Sequence, residues 1–186
     1  MKIIALLLIA LFGVPLSAAA FDVGPPVGST MPPLVAKDAA GMVRDLTAVA
    51  GKKGVVLVFF RSARWCPFCQ AQLISLKEVQ GPLAQRGYNL AAISYDPTAA
   101  LADFAAKRSI GYTLLSDNGS KMIDAMGLRD PQYPKGSFAD GVPRPSIFVV
   151  SQRGIIVAKL AEEGFKVRPT NEAILQAVNG VKSPAK

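Results

Sequence analysis

No histidine occurs in the 186 residues. Neither a Ser–His nor a Cys–His catalytic arrangement can therefore exist, and any nucleophile must be activated by a helix dipole, by cations or by carboxylates. Cysteine is almost as scarce, with two residues. A metal centre needs about four ligands. With two thiols and no imidazole, zinc or haem would require carboxylates or a second chain, so neither a metal nor another cofactor is expected. Long charged runs are also missing. Twenty-one Lys and Arg residues outnumber 13 Asp and Glu for a net charge of +8, but no basic block exceeds Lys52-Lys53 or Lys107-Arg108. No aromatic-rich binding motif accompanies them, so nucleic acid is not an expected partner. A solvated surface with some affinity for anionic partners accounts for the balance. There is no internal repeat and no low-complexity segment.

The one long apolar run, Ile3 to Phe12, is broken by Gly13 and Pro15 and is shorter than the roughly 20 residues of a membrane span. With Lys2 before it and Ser17-Ala18-Ala19-Ala20 after it, it reads as a cleavable export signal over residues 1–20. An uncleaved anchor is the alternative. The mature chain is expected to start near Phe21, to lose one positive charge with the leader, and to form a single domain over residues 21–186 with no stable membrane span. The short apolar core and the Ala-x-Ala ending suit a periplasmic protein. Export would place the two cysteines in a compartment where disulfides persist.

Those cysteines stand three apart in Trp65-Cys66-Pro67-Phe68-Cys69. Gly54 to Phe60 before them is a short apolar stretch rich in β-branched and aromatic residues, as in a buried strand. Leu73, Leu76, Val79 and Leu83 after them form the apolar stripe of a helix. A Cys-x-x-Cys pair on a strand-to-helix turn is a redox signature. Pro67 suits the first helical position, which puts Cys66 at the N-cap. There its sulfur can accept first-turn amides and feel the positive helix end, both of which favour thiolate over thiol. Cys69, one turn further in, is expected to be more buried and placed to attack a mixed disulfide on Cys66. A purely structural disulfide is the bland alternative, but such a short loop gains little chain-entropy stabilisation.

Strand-like and helix-like stretches alternate along the rest of the chain, which predicts a mostly parallel sheet with helices on both faces. Strands are expected at Val55–Phe60, Leu90–Ser94 and Thr113–Leu115, with an antiparallel hairpin formed by Ser146–Val150 and Ile155–Leu160. Helices are expected from Cys66 to about Val79 with a break at Gly81-Pro82, from Asp96 to about Lys107, over Ser120–Met126, and after Thr170. Val43 to Val49 is ambiguous, and the tail from Ser183 is expected to fray. From Gly127 to Pro145 there is no periodicity but much proline and glycine. A loop that long predicts a functional excursion delivering Arg144-Pro145 to the cysteines.

Taken together, these segments resemble the thioredoxin superfamily, and within it the redoxin, or AhpC/TSA, branch. The anchors are Val58-Phe59-Phe60-Arg61-Ser62 before the cysteine motif, Ile93-Ser94-Tyr95-Asp96, Leu114-Leu115-Ser116-Asp117, Gly141-Val142-Pro143-Arg144-Pro145-Ser146, and Lys166-Val167-Arg168-Pro169. The resemblance spans nearly all of residues 24–178. It implies an α/β fold, a thioredoxin-like three-layer α/β/α sandwich around a central mixed sheet. It also implies a cis-proline at Pro145 facing the two cysteines, in a groove to which Trp65, Pro67 and Arg144 contribute substrate contacts. Two positions depart from the family pattern. Peroxiredoxins of this branch usually carry Pro and Thr or Ser seven and three residues before the reactive cysteine, where this chain has Phe59 and Ala63. Thioredoxins usually carry an acid six residues before it, where this chain has Phe60.

The leading functional expectation is an exported thiol–disulfide oxidoreductase, with Cys66 attacking, Cys69 resolving, and Arg61 or Arg64 lowering the Cys66 pKa. A strand alternates faces, so at most one of the two arginines is expected to point at the sulfur. Protein thiols or disulfides would be substrates. The alternative is a thiol-dependent peroxidase acting on hydroperoxides, with Cys66 peroxidatic, Cys69 resolving and an unidentified thiol as electron donor. A non-catalytic redoxin module that binds a partner is the third reading.

Overall fold

Apolar alternation along one strand sets the layering. The computed structural model describes residues 22–181, so the expected leader at residues 1–20 and the tail from Ser183 lie outside the described residues. In β3 (Gly54–Phe59) every residue is buried. Successive side chains of a strand point to opposite faces. Val56 and Val58 join one hydrophobic core, and Val55, Leu57 and Phe59 join another. Helices α2 (Pro67–Ser75), α3 (Lys77–Gln85), α4 (Thr98–Arg108) and α6 (Asn171–Gly180) supply Leu73, Val79, Leu83, Leu101, Phe104, Ile174 and Val178 to the first core. The short helices α1 (Leu46–Val49) and α5 (Lys121–Ala125) supply Val49, Met122 and Ile123 to the second. The result is the expected three-layer α/β/α arrangement.

The sheet has seven strands in the order β2 (Val43–Arg44), β1 (Ala36–Asp38), β5 (Thr113–Ser116), β4 (Tyr88–Ser94), β3, β6 (Ser146–Ser151) and β7 (Ile156–Leu160). β3, β4 and β5 run parallel, and the other four of the six neighbouring pairs are antiparallel. The sheet is therefore mixed, as the family resemblance implies, and not mostly parallel. Helical crossovers build its parallel centre, while hairpins too short to cross over add antiparallel edges on both sides. The β6–β7 hairpin is as expected. The ambiguous stretch resolves into β2 and α1, and α1 is capped by the Asp45 side chain accepting from the Ala48 amide at 2.8 Å.

One helix boundary differs from expectation. The break falls at Leu76, and Gly81-Pro82 lies inside α3. At Leu76 the Ser75 hydroxyl donates back to the Gln72 carbonyl at 2.9 Å, a contact that bends helices. On the other side of the sheet, Phe148 and Phe59 pack edge to face with centroids 5.8 Å apart, both fully buried. Phe148→Ala is expected to destabilise the protein by about 3–5 kcal/mol through lost transfer energy and a cavity. Urea unfolding would show this as a lower midpoint at an unchanged slope.

Candidate active site

The C-terminal ends of β3 and β4 lie side by side, since Phe59 pairs with Ile93, and the cysteine loop leaves β3 at that end. A buried carboxylate just beyond β4 fixes the loop's path. Asp96 Oδ1 accepts from Ser62 Oγ at 2.8 Å, and Oδ2 accepts from the Ala63 amide at 2.7 Å and from Ser94 Oγ at 3.0 Å. Ser62 Oγ in turn accepts the Arg64 amide at 2.9 Å. From the helix side, the Gln70 side-chain amide donates to the Ala63 carbonyl at 2.8 Å. Asp96 and Ser62 are both buried, and unpaired polar groups there would be costly, so the network leaves the loop little freedom.

The loop delivers Cys66 to the N-cap of α2 with Pro67 at the first helical position, as the spacing predicts. Cys66 Sγ accepts the Cys69 amide at 3.2 Å, and the two cysteines are joined in a disulfide with Cα atoms 5.2 Å apart. The expected difference in burial is slight, at 2% exposure for Cys66 and none for Cys69. The neighbours of the two cysteines in sequence, Trp65 and Phe68, each pack against further aromatic rings. The Trp65 indole N–H donates to the Tyr95 hydroxyl at 2.9 Å, and its ring meets Phe138 edge to face at 5.7 Å. Phe138 also contacts Tyr133, and Phe68 contacts Phe165.

Of the two arginines flagged beside the motif, one turns inward. Arg61 is 1% exposed, and its guanidinium carbon lies 5.4 Å from the Trp65 ring, 4.9 Å from Tyr133 and 4.3 Å from Phe165. Desolvated cation–π contacts of this kind contribute roughly 2 kcal/mol each. Its carboxylate partner is Asp130, at 3.5 Å. Arg64 is exposed, with no ion pair among the described residues.

The loop between α5 and β6 reaches the cysteine motif, but the residues it brings there differ from those expected. It carries Asp130, Tyr133 and Phe138 to Arg61 and Trp65. Arg144 turns to the loop's own base, where Nη2 donates to the Gly127 carbonyl at 2.9 Å and the backbone amide to the Leu128 carbonyl at 2.7 Å. No cis peptide bond occurs among the described residues, so the bond before Pro145 is trans. The cis-proline expectation is thereby corrected, and the groove argument that tied Arg144 to it falls with it. Pro145 still precedes Ser146, which pairs with Phe59 at the motif end of the sheet. The adjoining loop is braced on its own, with Phe138 and Asp130 engaged by the site and Arg129 bound to both Asp124 and Asp140.

Sequence reasoning gave no role to Asp96, Asp130, Tyr133, Phe138, Phe165 or Arg168. Arg168 Nη2 stands 3.5 Å from Cys69 Sγ across a separation of 99 residues. The available signals were an acidic residue two positions beyond a buried strand, as Asp96 is, and the presence of Asp96 and Arg168 in segments that carry the family resemblance. Among the described residues no cluster of His, Cys, Asp and Glu is arranged to hold a metal ion, and no helix is long and apolar enough to cross a membrane.

Burial raises the Asp96 carboxyl above its ordinary range, outweighing the hydrogen bonds that lower it. The folded protein therefore holds this proton more tightly than the unfolded chain. That stabilisation is fully present below the unfolded value near 3.8 and is lost as pH rises through the raised folded value. Asp96→Asn removes the titration. In urea unfolding from about pH 3.5 to about pH 7.5, wild-type stability minus variant stability is expected to fall with rising pH; a difference that grows would contradict the assignment.

With this geometry in view, similarity to known proteins is informative. A sequence model of the AhpC/TSA family matches residues 27–159. Peroxiredoxin Q, chloroplastic, of Sedum lineare is 30% identical over 129 residues, covering 69% of this chain and 65% of that protein, just under two thirds of its length. Peroxiredoxin Bcp of Escherichia coli (strain K12) is 29% identical over 122 residues, covering 66% of this chain and 77% of that protein. Among solved structures, Peroxidoxin BcpB from Mycobacterium tuberculosis superposes with a TM-score of 0.71 at 22% identity, over 84% of this chain and 98% of that one. The fold is thus the thioredoxin-like fold of the peroxiredoxins.

Proposed function

The chain belongs to the AhpC/TSA family, and on that premise we propose that it is a thiol–disulfide oxidoreductase cycling Cys66 and Cys69 between dithiol and disulfide. The observation that carries this reading is the bonded pair within the first turn of α2, with the Cys66 sulfur at the N-cap. A thiolate on Cys66 is favoured there by the Cys69 amide and by the helix end. It attacks a substrate disulfide, and Cys69 resolves the mixed disulfide from one turn away. Trp65, Phe68 and Phe138 offer apolar contact area beside the pair for a protein substrate. Phe138, at 77% exposure, is the outermost of these rings.

The residues of the loop support exchange over peroxide activation. Ala63 stands where peroxiredoxins usually place a hydroxyl donor, and the neighbouring hydroxyl, Ser62, is committed to Asp96. The relatives' names favour a second reading, a thiol-dependent peroxidase in which a hydroperoxide oxidises Cys66 to sulfenic acid, Cys69 closes the disulfide and a thiol donor restores the dithiol. For either chemistry we propose a periplasmic setting, reached through the signal-like segment of residues 1–20, where a disulfide can persist between turnovers.

Two measurements separate the readings. Cys66→Ser is expected to reduce insulin-disulfide reduction to the uncatalysed rate, while Cys69→Ser accumulates mixed disulfides through Cys66, detected by non-reducing electrophoresis. Undiminished activity in Cys66→Ser would sink the exchange reading. Stopped-flow oxidation of the reduced protein by hydrogen peroxide and by an alkyl hydroperoxide is expected to run no faster than oxidation of free cysteine. A much faster reaction would establish the peroxidase.

A further inference from the structure

The cation that touches the redox pair comes from the segment between β7 and α6. Arg168 Nη1 donates to the Val167 carbonyl at 3.1 Å, and Nη2 donates to Cys69 Sγ at 3.5 Å. Its buried Nε has no hydrogen-bond partner among the described residues, and neither do Nε and Nη1 of Arg61. Arg61 is ion-paired with Asp130, whereas Arg168 takes part in no ion pair among the described residues. Burial, helped by repulsion from Arg61, pushes the Arg168 pKa down to about 10, which still leaves it charged at neutral pH. Asp130 is thus taken up by Arg61, and the positive charge of Arg168 stands next to Cys69 with no counter-ion among the described residues.

An uncompensated cation in a low-dielectric site stabilises whichever neighbouring group becomes an anion. In the disulfide form, Cys69 is neutral. When the pair opens by attack on Cys66, Cys69 leaves as a thiolate. Resting on the exchange function proposed above, we propose that Arg168 is a catalytic residue that stabilises Cys69 as the leaving thiolate and so directs attack to Cys66. In the oxidising half-reaction a substrate thiolate forms a new S–S bond to Cys66 Sγ. The Cys66–Cys69 bond breaks, its electron pair remains on Cys69, and no proton moves. A second thiolate of the same substrate then displaces Cys66. The substrate loses two electrons to become a disulfide, and the Cys66–Cys69 pair gains them.

The leaving-group role carries an equilibrium consequence. Arg168 already touches Cys69 Sγ in the disulfide, and a contact that strengthens when that sulfur becomes a thiolate stabilises the reduced form and makes the pair a stronger oxidant. The test is the reduction potential of purified wild-type protein, Arg168→Met, Arg168→Gln, Arg168→Lys and Lys166→Met. Each is equilibrated in graded glutathione redox buffers, and its dithiol fraction is counted by alkylation and mass spectrometry. Both neutral Arg168 variants are expected to shift the equilibrium toward the disulfide by at least about tenfold, which is about 30 mV for a two-electron couple. Arg168→Lys should recover most of that shift. Lys166→Met removes the same charge from an exposed position two residues away and should move the equilibrium by less than about twofold.

Two neutral variants are included so that poor folding of one, seen by circular dichroism, leaves the other to decide. An unmoved potential in a folded Arg168→Met or Arg168→Gln, even with a lowered melting temperature, would show a merely structural arginine and overturn the proposal. An equal shift in Lys166→Met would overturn it as well, by showing a diffuse charge effect. The potential is read without any protein substrate. Absence of insulin reduction by the wild type would count against the exchange function alone, whereas an unmoved potential counts against Arg168.

Discussion

The Asp96 carboxylate, buried where the parallel strands β3 and β4 end together, is the constraint on which the site depends. It accepts the Ser62 hydroxyl and the Ala63 amide, which commits the loop to a single path between sheet and helix. That path puts Cys66 at the N-cap and Cys69 one turn inside α2. The rigidity of the sheet is transmitted to two sulfur atoms through a few hydrogen bonds to one side chain. Ionising that side chain in a buried site is unfavourable in itself, and hydrogen-bonding partners on both of its oxygens offset only part of this.

Charge burial is the second theme. Arg61 lies under three aromatic rings with Asp130 as its counter-ion, and Arg168 approaches from the far end of the chain to reach Cys69. Buried ion pairs contribute little to stability compared with apolar packing of the same volume. A cation kept beside a redox-active sulfur is better explained by what it does to the thiolate than by what it adds to folding. The loop between α5 and β6 and the segment before α6 cover the Arg61 charge, because Tyr133 belongs to the first and Phe165 to the second.

The elements visible in the sequence were those with a local signal. β3, β4, the β6–β7 hairpin and α4 each carry their own apolar period or turn residues, and the N-cap role of Cys66 follows from Pro67 directly after it. The mixed sheet was legible only through family resemblance. β1 and β2 are three and two residues long, too short for any period to register; β1 is ordered by pairing with a distant β5, and β2 by pairing with β1. Ser75's back-bond to Gln72 outweighed the stronger-looking punctuation of Gly81-Pro82. The aromatic and cationic surroundings of the cysteines were illegible because Asp130, Tyr133, Phe138, Phe165 and Arg168 meet the motif only after two loops close over it. The family resemblance marked Pro145 as special, while the backbone there is an ordinary trans entry into β6.

The central claim is that the Cys66–Cys69 bond is a working redox couple and not a structural brace. Its reduction potential in the wild-type protein tests that most directly. The account predicts a freely reversible couple lying between about −270 and about −120 mV, the span from thioredoxin to the strongest thiol oxidants. A value below about −300 mV, where structural disulfides lie, would contradict it.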